Sequence, residues 1–186
     1  MRSLVVVQYT LSIALMIGTG LMGQQLEYLL SKDLGYENEN IVVVQAGSGG
    51  SWPLLERYRN ALQDYDEIAG MVGVGYSFTR GGDRRSWQNA DRVPREAWAF
   101  GVDYGYLNLM NMELVAGRDF SRDLTTDPTA SLLVNEALVK EFDLQQPIGH
   151  KLVGWGDGFM EAPPVIIGVV RDFNFESLHV PVRPAI

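Results

Sequence analysis

The chain has 186 residues, 46% of them hydrophobic, with 15 Lys and Arg against 23 Asp and Glu and a formal net charge of -8. That is the composition of a folded chain rather than a disordered or collagen-like one, and the acidic balance excludes nucleic acid as a partner, since a phosphate grip needs clustered Lys and Arg. Cysteine is absent and histidine occurs only twice, which excludes disulfides, thiol nucleophiles and Cys-based zinc or iron–sulfur sites.

The first element is apolar. Residues 3–25 carry no charge and lie between Arg2 and Glu27. A helix crosses a hydrocarbon core of about 30 Å with about 20 such residues, so a membrane helix is predicted. Gln8, Thr10, Ser12 and Thr19 make it less apolar than a lone anchor, which suits a helix packed against others; Ala14 with Gly18, and Thr19 with Gly23, are the small residues for that packing. A cleaved signal peptide fits less well, because only Met1-Arg2 precedes a long apolar run. The glycines at 18, 20 and 23 match a dinucleotide-binding pattern literally. The pattern needs a short strand before its first glycine and an acid after its second strand, and the chain offers neither.

Helical period continues through residues 24–34. Leu26, Leu29, Leu30 and Leu34 share one face, and Gly35 supplies a left-handed stop. A helix over 3–34 would be about 48 Å long, enough to cross the bilayer and emerge as a stalk whose leucine stripe is a coupling face. Arg2 favours an inside start, placing the rest outside. The predicted division is 1–35 as membrane helix and stalk, and 36–186 as one extracytoplasmic domain.

In that domain residues 41–45 read as a buried strand and 46–51 as a loop. A helix follows over 54–65, packed on a sheet through Leu54, Leu55, Tyr58, Ala61, Leu62 and Tyr65. Residues 71–78 and 97–102 read as strands. The polar stretch 79–95 between them is expected to be a loop or irregular hairpin anchored by Trp87. Asp103 should cap a short helix through residue 110, and Asn135 a helix over 136–142. Residues 112–116, 132–134 and 151–153 read as short strands, and 165–170 as a strand covered on both faces. The fold class expected is α+β: a mixed β-sheet with packed helices.

Chemistry-bearing sets are sparse. Asp172, Glu176 and His179 are the nearest approach to a metal cluster, but the stretch reads more simply as a strand end whose Asp caps a turn while Phe173 and Phe175 pack inward. Asp119, Asp123 and Asp127 are spaced by four, with Leu124 and Pro128 interrupting any calcium loop. No catalytic residue, cofactor or metal is expected.

Four stretches then carry a resemblance. Residues 2–36, residues 101–121 (GVDYGYLNLMNMELVAGRDFS), residues 132–152 (LLVNEALVKEFDLQQPIGHKL) and residues 165–184 (VIIGVVRDFNFESLHVPVRP) resemble, in order, segments of FtsX/MacB-like ABC transporter permeases. The resemblance implies a bacterial inner-membrane permease subunit whose periplasmic MacB-like core domain follows its first helix. It further implies a cytoplasmic ABC ATPase as partner, a homodimer or paired permease half, and coupling of ATP hydrolysis to export or periplasmic mechanotransmission. Such permeases have further membrane helices, so the chain is expected to be one piece of a larger one. Residues 77–96 are the counterpart of a reduced second lobe, and Arg80, Arg84, Arg85 and Trp87 its candidate surface for a periplasmic partner protein. The reading from a different class is a membrane-anchored sensor domain, with ligand held around residues 47–52 and 155–159.

Overall fold

A long helix and a folded domain divide the chain into two units, residues 1–33 and 34–186. The computed structural model describes residues 2–45, 52–78, 81–156 and 162–186. Helix α1 (Arg2–Ser31) has 30 residues and is long and apolar enough to cross a membrane, with a mean hydropathy of 1.8 over its best window. The hydroxyls of Thr10 and Thr19 donate back to the Val6 and Leu15 carbonyls at 2.9 Å, so neither is left without a partner in an apolar helix. The helix ends earlier than its leucine period suggested. Leu34 lies outside it and is half-buried in the domain, because its carbonyl is engaged there and Gly35 turns the chain at φ 83°.

Among the described residues the domain has nine further elements: α2 (Trp52–Leu62), β1 (Asp83–Gln88), β2 (Pro94–Ala99), α3 (Tyr106–Leu109), β3 (Leu114–Gly117), α4 (Asp127–Ala130), β4 (Ser131–Asn135), α5 (Glu136–Glu141) and β5 (Val165–Val170). It is α+β with mixed pairing. β1 and β2 form an antiparallel hairpin, while β5 lies between antiparallel β3 and parallel β4. The continuous apolar run of β5 suits this central place, and α5 supplies the crossover that a parallel β4–β5 pair requires. Gly168 sits where the β4–β5 register shifts; a Cβ there would lie 2.5 Å from the Arg118 carbonyl, so only glycine fits the crowded bulge.

Alternation along β4 builds a core on each face. Leu133 joins Tyr106, Met112, Val170 and Phe173 on one side, while Leu132 and Val134 join Leu138, Trp155 and Ile166 on the other. The Gly-Arg-Asp-Phe turn after β3 is pinned by Asp127. Its carboxylate takes both Arg118 nitrogens at 2.7 and 2.8 Å, the Ser121 N–H at 2.8 Å and the Ser131 hydroxyl at 2.9 Å.

Several expectations are corrected. Residues 41–45 are not a buried strand: Val42 is 86% exposed, and no sheet edge takes this segment among the described residues. A β-branched run fits a segment for pairing, but a free edge elsewhere decides whether pairing happens. Residues 71–78 contribute only a bridge, Val74 to Val102. The helix predicted over 54–65 stops at Leu62, and none of its residues 53–62 is fully buried; Leu62 is half-buried and Tyr65 exposed. What holds α2 is polar: Arg59 donates to Asp103 at 2.5 Å and to the Met71 carbonyl at 3.1 Å. Asp103 is therefore spent on Arg59 and on the Tyr104 N–H, and Gly105 at φ 79°, not Asp103, precedes α3. The stretch read as a loop or irregular hairpin over 79–95 is, in its described part, a hairpin with regular register. Its turn is closed by the Asn89 side chain, which accepts from the Asp91 and Val93 amides at 3.1 and 2.9 Å. The loop read over 46–51 lies outside the described residues.

Candidate functional site

Where the chain enters and leaves the domain, its hydrogen bonds converge. On the entering side, the Leu34 carbonyl accepts the Asn174 N–H at 2.7 Å, and the Glu37 N–H donates to the Met110 carbonyl at 2.7 Å. Between them Gly35 lies so close to the backbone after β5 that a Cβ would stand 2.7 Å from the Asp172 carbonyl oxygen. Tyr36 packs its ring 4.8 Å from that of Phe78.

On the leaving side, residues 184–186 act as an extra strand between the two sheets. Trp98 and Phe100 donate to the Pro184 and Ile186 carbonyls at 2.9 and 2.8 Å, and Ile186 donates to Trp98 at 2.8 Å. From the other flank, the Asn135 N–H donates to the Ala185 carbonyl at 3.2 Å. The segment thus joins β2 to β4 and makes one continuous surface of hairpin and three-stranded sheet.

The two sides meet at residues 135–137, where β4 turns into α5. Asn135 is 1% exposed and fully used: its Oδ1 accepts from Leu138 N at 3.0 Å, capping α5, and from Ala185 N at 2.9 Å, while its Nδ2 donates to the Arg183 carbonyl at 2.9 Å. One residue on, the Glu136 carboxylate accepts the Asp172 N–H at 3.1 Å; one further, Ala137 N donates to Asp172 Oδ1 at 2.8 Å. Burial pushes the Asp172 carboxyl above its ordinary value, against the Ala137 hydrogen bond that favours its charge; nearby Glu136 adds to the rise. Asn174 and Met110 hold the entering chain by hydrogen bonds and the Asp172 carbonyl crowds its Gly35, while Asn135 holds the leaving one. Asn135, Glu136 and Ala137 thus bind the leaving segment and Asp172 at the C-terminal end of the parallel β4–β5 pair, next to the Asn174 amide that takes the entering chain.

The residues singled out from sequence are distributed differently. Leu26, Leu29 and Leu30 lie on α1 and are exposed, while Leu34 belongs to the domain. Ala14, Gly18, Thr19 and Gly23 lie along the same helix, and a Cβ on Gly18 or Gly23 would meet nothing within 4 Å. Arg80 is outside the described residues, as is most of the two loops considered for a ligand. Arg84 is exposed and paired with Glu96, and Arg85 with Asp83 at 2.7 Å. Trp87 packs inward, 4.9 Å from the Trp155 ring and 5.8 Å from Phe142. Among the described residues no group of three or more His, Cys, Asp and Glu is placed to hold a metal ion. Asp172 is engaged as above, Glu176 faces Arg183 at 3.4 Å, and His179 is exposed. Sequence reasoning found Asn135 as a cap but missed its second role, because the 183–185 partners are remote in sequence.

The family model for the MacB-like periplasmic core domain matches residues 4–183. No curated protein matches the chain. Solved structures similar to the chain include a domain of a Porphyromonas gingivalis protein described as a permease, at 16% identity and a TM-score of 0.48 over 68% of this chain and 49% of that one. The extracellular domain of the ABC-type transporter YknZ from Gram-positive bacteria is similar at 15% identity and 0.45, over 70% of this chain and 60% of that one. The periplasmic region of MacB from Actinobacillus actinomycetemcomitans is similar at 15% and 0.46, over 69% and 60%. The chain thus spans between about half and three fifths of the solved chains it matches.

Proposed function

Because the chain belongs to the MacB-like periplasmic core domain family of ABC-type permeases, we propose that it is the first membrane helix and outer domain through which such a permease passes work across the membrane. Its helix α1 anchors it in the bacterial inner membrane, and residues 36–186 stand in the periplasm. A cytoplasmic ABC ATPase hydrolyses ATP, a second permease copy or half pairs with this one, and the outer domain acts on export or on a periplasmic partner protein. The domain itself does no covalent chemistry.

The observation that carries this reading is the joint at residues 135–137. A domain that relays motion needs its incoming and outgoing chain fastened to the same rigid element, otherwise displacement is lost in slack. Here the leaving segment is bonded to Asn135 at the end of β4 and the entering segment to Asn174 just after β5, beside the bonds from Glu136 and Ala137 to Asp172. Leu26, Leu29 and Leu30 offer the incoming helix an apolar stripe for a neighbouring helix, and Ala14, Gly18, Thr19 and Gly23 allow close approach within the membrane. Arg84 and Arg85 remain the candidate partner surface on the hairpin, with Trp87 as its support rather than its contact.

The test is a Gly-Gly-Ser insertion after Gln25 in the permease assembled with its ATPase. Each glycine in a helix costs only about 1 kcal/mol, so the domain stays folded and ATP hydrolysis continues while export or partner activation falls. Retention of full coupled activity would overturn the relay.

A further inference from the structure

Two features of the 34–186 unit fit each other. The first is an apolar run held out of the sheets. Val42, Val43 and Val44 are 86%, 59% and 70% exposed, three adjacent β-branched side chains in a segment outside every strand described. An unbroken apolar run of this kind suits a strand covered on both faces. The second feature is an apolar cavity of about 250 Å³ beside residues 184–186. Phe100 and Val102 line one wall, and Leu132 and Leu133 the other. The strands of both walls are bonded to residues 184–186, Phe100 to Ile186 and Asn135 to Ala185. Neighbouring strands lie about 4.8 Å apart, so the walls there stand about 9–10 Å from each other, the width one strand occupies. Tyr106 and Phe173, from the core on one face, line the cavity, and so does Trp155 from the core on the other.

The tether between the two is short and begins at the cavity. Tyr36 packs its ring 4.8 Å from that of Phe78, which lines the cavity, and the Glu37 N–H is bonded to the Met110 carbonyl. Residues 38–40 lead from there to Ile41, and three extended residues reach about 10 Å. Asn40 stands at the turn-off with φ 57°. Asn is one of the few residues besides glycine that enters this left-handed conformation readily, and the extended one is open to it as well. A change at this one residue redirects the run that follows. We propose that residues 41–44 are a strap that turns at Asn40 and inserts as a strand into the cavity, between the walls at 100–102 and 132–133. Val42 and Val44 then pack on one face of the sheet, and Ile41 and Val43 on the other. Insertion takes branched side chains out of water and fills a void, and both changes favour it. A free apolar ligand would fill the void and leave the valines in water. The run of a second copy would compete with one tethered a few residues from the cavity, which has the higher effective concentration. The inference concerns the 34–186 unit alone and is independent of the relay proposed above.

The sequence has no cysteine, so an introduced pair reports the strap without background. Val43→Cys is combined in turn with Val102→Cys, with Leu133→Cys and, as a control, with Val93→Cys at the exposed hairpin turn, in the full chain in detergent under a mild oxidant. A disulfide needs its Cα atoms within about 7 Å. Both wall pairs are expected to link within one chain at least about tenfold faster than the control pair. Asn40→Val, which disfavours the left-handed turn, should speed that linkage, and Asn40→Gly, which favours it, should not. If Leu133→Cys, at a buried position, does not melt cooperatively, Val102→Cys at the half-buried wall decides alone. Linkage at the control rate, or linkage between two chains, would overturn the proposal, as would equal rates in the two Asn40 variants.

Discussion

Asn135 and Ala185 are bonded twice, once through the Asn135 N–H to the Ala185 carbonyl at 3.2 Å and once through the Ala185 N–H to Asn135 Oδ1 at 2.9 Å. The second bond uses the same oxygen that caps α5. Helix start and chain exit are therefore one interaction, and neither can loosen alone.

Asn135→Ala should cost about 2–4 kcal/mol, the sum of a lost cap and of buried Ala185 and Arg183 backbone groups left unpartnered. Thermal melting measures the total. Exchange of the Ala185 and Leu138 amides should rise together; a rise at Leu138 alone would show that the cap is the whole of Asn135's role.

Gly35→Ala and Gly105→Ala separate strain from collision. Both residues have positive φ, at 83° and 79°, but a Cβ meets the Asp172 carbonyl only at Gly35 and nothing within 4 Å at Gly105. The Gly105 change should cost about 1 kcal/mol and the Gly35 change more, about 2–3 kcal/mol. Equal losses in the two melting curves would remove the entry contact from the account.

Asp127 gives the acid side of the stability profile. The Arg118 guanidinium, with help from Ser121 and Ser131, holds its carboxyl well below the ordinary carboxylate range despite burial. A depressed folded pKa contributes stability that is present above the unfolded value, about 4, and is lost as pH falls through the lower folded one. Wild type should accordingly melt well above Asp127→Asn at neutral pH, and the difference should shrink below about pH 4.

The hairpin surface can be divided by substitution. Trp87→Ala removes ring contacts with Trp155 and Phe142 and should cost about 2–4 kcal/mol. Arg84→Ala, at an exposed position paired with Glu96, should leave melting unchanged. Loss of periplasmic partner binding in Arg84→Ala at unchanged melting temperature would assign the surface; unchanged binding would withdraw it.

What the sequence made legible follows from how local each signal is. The apolar run of α1, the doubly covered β5 and the Asn135 cap are written in adjacent residues, and each was readable. The failures are tertiary. The valines at 42–44 announce a strand without saying whether an edge is free for it. Leu62 fits a helix face but is only half-buried, on a helix that Arg59 ties to Asp103, so Leu62→Ala should fall short of the 2–5 kcal/mol of a core truncation. The joint was invisible because its partners are 35 to 50 residues apart in the chain. Even the Gly35 stop was legible as a turn while the reason for its tightness, the backbone of Asp172, was not.

With the leaving end bonded to Asn135 at the end of β4 and the entering end to Asn174 just after β5, the 34–186 unit has the topology of a cassette. Everything between the two fastenings is a closed excursion that begins and ends at the C-terminal end of the β4–β5 pair, so a lengthened hairpin turn at 89–93 adds bulk without lengthening the route between the ends. Bulk added at the hairpin turn therefore leaves the spacing of entry and exit untouched, whereas a change at Asn135 acts on the exit directly.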